Sequence, residues 1–284
     1  SAHPGSYGHG RLGVWADDLT RDGIWQAVQQ RCTYALTGDR IQLAVTLNGH
    51  RMGAIAPTST QRDIAVEVTG GDAIDYVELL HNNRVIHRWN PTFEAVTDPF
   101  VAPMKVYLEL GWAERGENVD WQAELDVVSG ELLSVEPRFR GHEVVAPQAD
   151  EEDSYSFSDW QRVGNTGVSF STRTWGNPTT TTASTQGMCF EVTGNPQTYF
   201  SGTINGQAVK IHLADLLNGP QSHYLGGFLS PAYCFHQAIP QQDYRMSLTY
   251  NHHTHSQRRD WYYVRVRQKN NHWAWSSPIY VEPA

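Results

Sequence analysis

The chain has 284 residues and a mass of 32.0 kDa, enough to bury one large core or two modest ones. Its formal charge of -9 leaves no basic stripe for phosphates, which excludes nucleic acid as a partner and disfavours an anionic membrane surface. No apolar run approaches the roughly 20 residues needed to span a bilayer, and no charged-then-apolar leader opens the chain, so a soluble protein is expected.

The first residues, Ser1-Ala2-His3-Pro4-Gly5, lack an initiator Met and enter loop chemistry at once, as a piece of a longer protein would. His3 and His9 lie in this Gly-rich loop. Two imidazoles there could reach a metal, but their spacing is not a ligand signature, and a surface loop is the simpler reading. From Thr20 a helix is predicted, because Thr20 is a good N-cap, Asp22 suits the first turn, and Ile24, Ala27, Val28 and Arg31 follow helical spacing. It should run to about Tyr34, with Trp25 and Cys32 bordering its buried face.

Alternation then predicts strands over 41–47, stopped by Asn48-Gly49, and over 64–68. Two more, 76–80 and 85–89, flank His81-Asn82-Asn83, and further strands follow at 105–110 and 121–127. Their polar outer faces suit a two-sheet sandwich. The acidic run Asp150-Glu151-Glu152-Asp153 after Pro147 reads as a solvated linker and marks a boundary; it lacks the Asp-x-Asp-x-Asp-Gly loop of a calcium site. Beyond it, strands are predicted at 168–174, 179–182, 188–192, 198–204 and 209–213, with Asn205-Gly206 turning the last pair. Residues 215–240 read as loop with one short helix at most.

Asn251-His252-His253-Thr254-His255 is the densest histidine cluster. Read as a strand-joining loop, it lacks the rigid placement that a zinc site requires, although His252, His253 and His255 could take a metal adventitiously. The final stretch, 260–281, is a hairpin. Tyr262, Val264 and Val266 share one face, Trp261, Tyr263, Arg265 and Arg267 the other, and Asn270-Asn271 supplies the turn. A lone hairpin is marginal in water, so it must join earlier strands. Partners from about 39–146 are expected, leaving 155–255 as an insertion. The ten Trp, thirteen Tyr and nine Phe, among short Val/Ile runs, agree with this mainly β reading.

Cys32, Cys189 and Cys234 are too few for a disulfide scaffold, and buried free thiols are expected in preference to a Cys189–Cys234 bridge. No Ser/His/Asp arrangement, phosphate loop after a strand, or Cys-x-x-Cys pair is present.

Three stretches together resemble one family. The first runs from Pro4-Gly5-Ser6-Tyr7-Gly8 through Gly13-Val14-Trp15-Ala16, Leu19-Thr20-Arg21 and Ile24-Trp25 to Thr33-Tyr34-Ala35-Leu36-Thr37-Gly38-Asp39-Arg40-Ile41. The second is Arg173-Thr174-Trp175-Gly176-Asn177-Pro178 and the threonines after it, with Thr185-Gln186-Gly187, and the third is Asp260-Trp261-Tyr262-Tyr263-Val264-Arg265-Val266 with Trp275-Ser276-Ser277-Pro278-Ile279. They resemble the C-terminal half of a largely uncharacterised bacterial family whose N-terminal barrel is like the polymerase-and-histidinol-phosphatase (PHP) metal-dependent phosphoesterases. The resemblance implies that the metal site, holding zinc, manganese or iron, is built by that barrel of the same polypeptide. It begins at a His-x-His motif and ends at an Asp/His pair ahead of the Pro-Gly-Ser-Tyr-Gly loop. Neither is present here, so no cofactor is expected in this chain alone.

The expected fold is therefore a mainly β, antiparallel β-sandwich with an inserted β-subdomain and an N-terminal loop-helix segment. Residues 1–40 would be the end of the barrel, 41–146 the sandwich completed by 258–284, and 155–255 the insertion. The expected role is a non-catalytic accessory region of a PHP-like metal-dependent hydrolase. One alternative is a phosphoesterase with a residual metal site at His3 and His9. Another is a carbohydrate-binding module, for which Trp160, Trp175, Trp273 and Trp275 are the available platforms and Trp175 the leading one.

Overall fold

A computed structural model describes residues 10–91, 98–114, 117–139, 158–175, 185–227, 229–255 and 258–283. The fold is mainly β, with antiparallel sheets, and divides into two compact units, Gly8–Ala95 with Gln242–Ala284 and Val96–Gln241. The first holds β1 (Arg11–Val14), α1 (Arg21–Gln29), β2 (Thr33–Leu36), β3 (Gln42–Leu47), β4 (His50–Arg51) and β5 (Ile55–Pro57). It continues through β6 (Gln61–Thr69), β7 (Ile74–His81) and β8 (Arg84–Trp89). The second holds β9 (Met104–Gly111), β10 (Asn118–Pro137), β11 (Asp159–Val163), β12 (Gly167–Trp175), β13 (Gln186–Ile204) and β14 (Gln207–His212). After these come α2 (Leu213–Asn218), β15 (Gln221–Tyr224), β16 (Ala232–Phe235) and β17 (Ile239–Pro240). The chain re-enters the first unit through α3 (Gln241–Tyr244), then β18 (Arg245–His253), β19 (Asp260–Gln268), β20 (Trp273–Ser276) and β21 (Ile279–Glu282).

The first unit is a two-layer sandwich organised around β19. One edge of β19 pairs with β20 and, past the break at Ser277-Pro278, with β21; the other edge pairs with β7, which carries β8. The sheet extends from β20 through β2 to β1, and β5 adds to β21 in parallel. The facing sheet runs β18-β6-β3-β4. Alternation decides what fills the space between them. Leu43, Val45, Leu47 and Val66 meet Val77, Leu79, Val264 and Val266, each at most 2% exposed. Apolar burial of this extent stabilises by about 1.5–3 kcal/mol per side chain.

Asparagines set the tight turns. Asn48-Gly49, Asn82-Asn83 and Asn205-Gly206 all hold both residues at positive φ, the geometry of a two-residue hairpin loop. The second unit is a nine-stranded sheet built on two long strands, β10 and β13, which pair along almost their full lengths. Register shifts near Ser129 and Leu133 bend the pair. Trp121, Phe190, Phe200, Ile211 and Phe235 fill its core.

Several expectations change. The helix stops at Gln29, because Arg31 takes φ 59, and Thr33–Leu36 is a strand between β1 and β20. Gly53 permits that turn, since a Cβ there would lie 2.3 Å from the Arg31 carbonyl oxygen. The hairpin finds β7 and β5 within the expected 39–146 range, but also β2, which the helix had been expected to absorb. The unit boundaries also differ from 41–146, 155–255 and 258–284. β9 and β10 belong with the second unit, and β18 belongs to the sandwich as the partner of β6. The acidic run lies outside the described residues; β10 and β12, before and after it, pair with each other within one unit. The strand expected at 179–182 lies outside the described residues. Those expected at 188–192 and 198–204 are one continuous strand, β13. Residues 215–240, expected as loop with one short helix at most, hold the end of α2 but also supply three short strands.

Candidate functional site

The histidine cluster is where strand geometry decides the chemistry. Asn251, His252 and His253 are the end of β18, paired with Asp63, Arg62 and Gln61, and are not a loop as expected. Period two therefore sends His252 inward and His253 outward, while His255, past the strand, is exposed. Inside, His252 Nδ1 lies 2.9 Å from the Tyr262 hydroxyl, and the His81 ring stacks on Tyr262 at 4.6 Å between centroids. His81 Nε2 is 3.2 Å from Asp260 Oδ1, which also accepts from Asn82 Nδ2 at 2.9 Å. Behind it the buried Arg62 guanidinium lies 3.9 Å from the other Asp260 oxygen. Burial, together with the neighbouring His81 and Arg62, outweighs the Asp260 carboxylate and holds the His252 imidazole below its ordinary value. Burial likewise pushes the Tyr262 hydroxyl up to about 12. The three histidines do not converge, and among the described residues no group of three or more His, Cys, Asp or Glu is placed to hold a metal ion. His3 and His9 lie outside the described residues.

The tryptophans are placed differently. The Trp175 backbone ends β12 opposite Asn118, and its side chain lies outside the described residues. Trp160 is 38% exposed on β11. Trp273 and Trp275 are on the outward face of the larger sandwich sheet, half-buried, with rings parallel to within 8° and centroids 5.6 Å apart. Neither ring is in the sandwich core. Tyr76 meets Trp273 edge-on, Arg88 covers Tyr76 at 3.9 Å, and Arg265 and Arg267 lie within 5.9 Å of Trp273. Glu78, almost fully buried, binds both Arg88 and Arg265. Burial works to raise its carboxyl, but hydrogen bonds from Arg265 and Arg88 prevail and hold it below the usual carboxylate range.

Beside this network a trough of about 510 Å³ opens between Trp261, Tyr263, Trp275 and Tyr280, with Asn83 and Arg259 at its rim. Trp261 Nε1 donates to Asn83 Oδ1 at 3.2 Å, and Arg259 lies 4.3 Å over the Tyr280 ring while its Nε donates to Glu282 at 2.8 Å. In the second unit a larger cleft, about 910 Å³, lies between Trp112, Tyr224 and Leu229 over small residues such as Ser222 and Ala232. Cys189 and Cys234 are buried free thiols on strands that flank β9, opposite Tyr107 and Glu109, so their backbones lie about 12 Å apart, too far for a bridge.

Sequence reasoning singled out neither the Arg62, His81 and Asp260 group nor Tyr280. The first three come from different strands and carry no spacing signal. Tyr280 shares the outward period of β21 with Glu282, and that alternation could have found it.

The first and third motifs behind the resemblance touch one another. Thr33 Oγ1 lies 3.1 Å from Ser277 Oγ, the Trp15 indole donates to the Leu43 carbonyl at 2.8 Å, and β2 pairs with β20. Residues 5–59 match the model of a protein family of unknown function, DUF3604. No curated protein and no solved structure matches the chain.

Proposed function

We propose that this chain is the C-terminal accessory β-sandwich region of a PHP-like metal-dependent hydrolase, and that it is itself non-catalytic. The observation that carries this reading is the uncovered segment β1–α1. Leu12 is 59%, Leu19 94% and Trp25 62% exposed, and the nine-residue helix buries only Ala27. A helix of that length depends on packing for its stability, and an apolar surface of this kind marks a contact with another body. A catalytic barrel preceding this segment in the same polypeptide is the partner that fits. Divalent zinc, manganese or iron would then belong to the barrel. The inward turn of His252 supports the same reading, because it separates the members of the densest histidine cluster, one packed inside and two in solvent.

The test compares residues 1–284 with a longer chain that restores the upstream segment, each assayed on an aryl phosphate monoester and diester with added manganese, zinc or iron. Turnover is expected only in the longer chain. Metal-dependent turnover by residues 1–284, abolished by His3→Ala or His9→Ala, would establish the residual-site alternative instead. Carbohydrate binding is favoured by a separate observation, the outward ring faces beside the trough on the sandwich sheet.

A further inference from the structure

We propose that the trough beside β19 binds an oligosaccharide containing uronic acid, its pyranose rings lying on Trp261, Tyr263 and Trp275 and a carboxylate meeting Arg259. The placement follows from the strand pattern. Trp261 and Tyr263 project outward from β19, Trp275 from β20 and Tyr280 from β21, so neighbouring strands supply a continuous aromatic floor. The negative face of an aromatic ring attracts the weakly positive C–H face of a pyranose, and a row of rings suits a chain of sugars.

These rings are already held. The Trp261 indole is tied to Asn83, Tyr280 lies under Arg259, and Trp275 is stacked on Trp273. Side chains fixed before binding lose little entropy when a ligand arrives, which is the requirement for a small rigid ligand. Polar groups stand where a sugar needs them. The Asn83 amide is at the rim, its oxygen accepting from the Trp261 indole and its NH2 left to donate.

Charge selects the class of sugar. Arg259 lies over the Tyr280 ring with its Nε 2.8 Å from Glu282, and its side chain is 54% exposed. In a chain of formal charge -9, an exposed guanidinium at the end of an aromatic trough is a local exception that suits a carboxylate. The trough is also small for a protein partner, which normally covers about 800 Å² on each side. The site makes no demand on the upstream barrel, and its failure would leave the accessory reading standing.

The experiment titrates residues 1–284 with oligogalacturonate and with a neutral oligogalactan of equal length, following tryptophan fluorescence and calorimetric heat. Oligogalacturonate is expected to bind more tightly than the neutral sugar. Trp275→Ala should weaken it about tenfold, and Arg259→Gln should erase the preference for the charged sugar while the thermal midpoint stays unchanged. Should Trp275→Ala disturb folding, Arg259→Gln alone decides, since Arg259 is at an exposed position. Absence of oligogalacturonate binding, or binding that neither substitution alters, overturns the proposal. So does protection of Trp261 and Trp275 by the upstream barrel in the longer chain without sugar binding, which would make this face a protein interface.

Discussion

An imidazole that loses water on folding favours its neutral form, and His252, packed between Tyr250 and the Tyr262 hydroxyl with His81, Asp260 and Arg62 around it, does so. Its folded pKa lies below the unfolded value of 6.5, so below that pH the unfolded chain takes up a proton the folded chain refuses. Stability should therefore fall as pH drops through 6.5, and the loss should level off once the folded pKa is passed. The check is the urea midpoint from about pH 7.5 to 5.5; a smaller slope is expected in His252→Gln, and an unchanged slope would assign the effect to another group. The same inward turn explains why three adjacent imidazoles, which suggested a metal, serve packing on one side of the strand and solvent on the other.

Helix α1 shows how far local signals reach. Thr20 caps it as expected, its hydroxyl accepting from the Gly23 amide at 3.1 Å, because an N-cap needs only residues within one turn. The buried face did not follow. Ile24 is 38% exposed and Trp25 62%, since burial depends on what packs against the helix and no turn of sequence specifies that. In residues 1–284, Thr20→Ala should cost about 1 kcal/mol, and Ile24→Asp no more than about 0.5 kcal/mol, as for an exposed site. Thermal unfolding of the two variants checks both. A cost of several kcal/mol for Ile24→Asp would place that side chain in a core. The strands were read well where alternation is strict, as in β3, β6 and β19. They were read as broken where bulges interrupt it, as in β13, whose Gly194-Asn195-Pro196 resembles a turn but lies in a bulge opposite Ser129, the pairing resuming from Gly194–Gly130 to Tyr199–Val128.

The unit Val96–Gln241 is inserted between β8 and β18 of the sandwich and carries its own core, from Met104 to Ala238. A segment with its own core should fold alone, so residues 98–241 expressed by themselves are expected to unfold cooperatively, with a near-ultraviolet circular dichroism signal from Trp121. A molten, non-cooperative product would show that the insertion needs the sandwich. Neither end of this insertion is marked by a change in composition, whereas the acidic run that is so marked lies between paired strands. Local chemistry thus settled the β class, the Asn-led turns, the Thr20 cap and the two faces of the final hairpin, because each depends on residues within a few positions. Which strands pair, where the units divide, that His252 meets Tyr262 and His81, and that Trp261, Trp275 and Tyr280 share one trough were decided by the folded chain. Those contacts join residues as far apart as Thr33 and Ser277, and the hydrophobic burial that brings them together has no direction and leaves no spacing in the sequence.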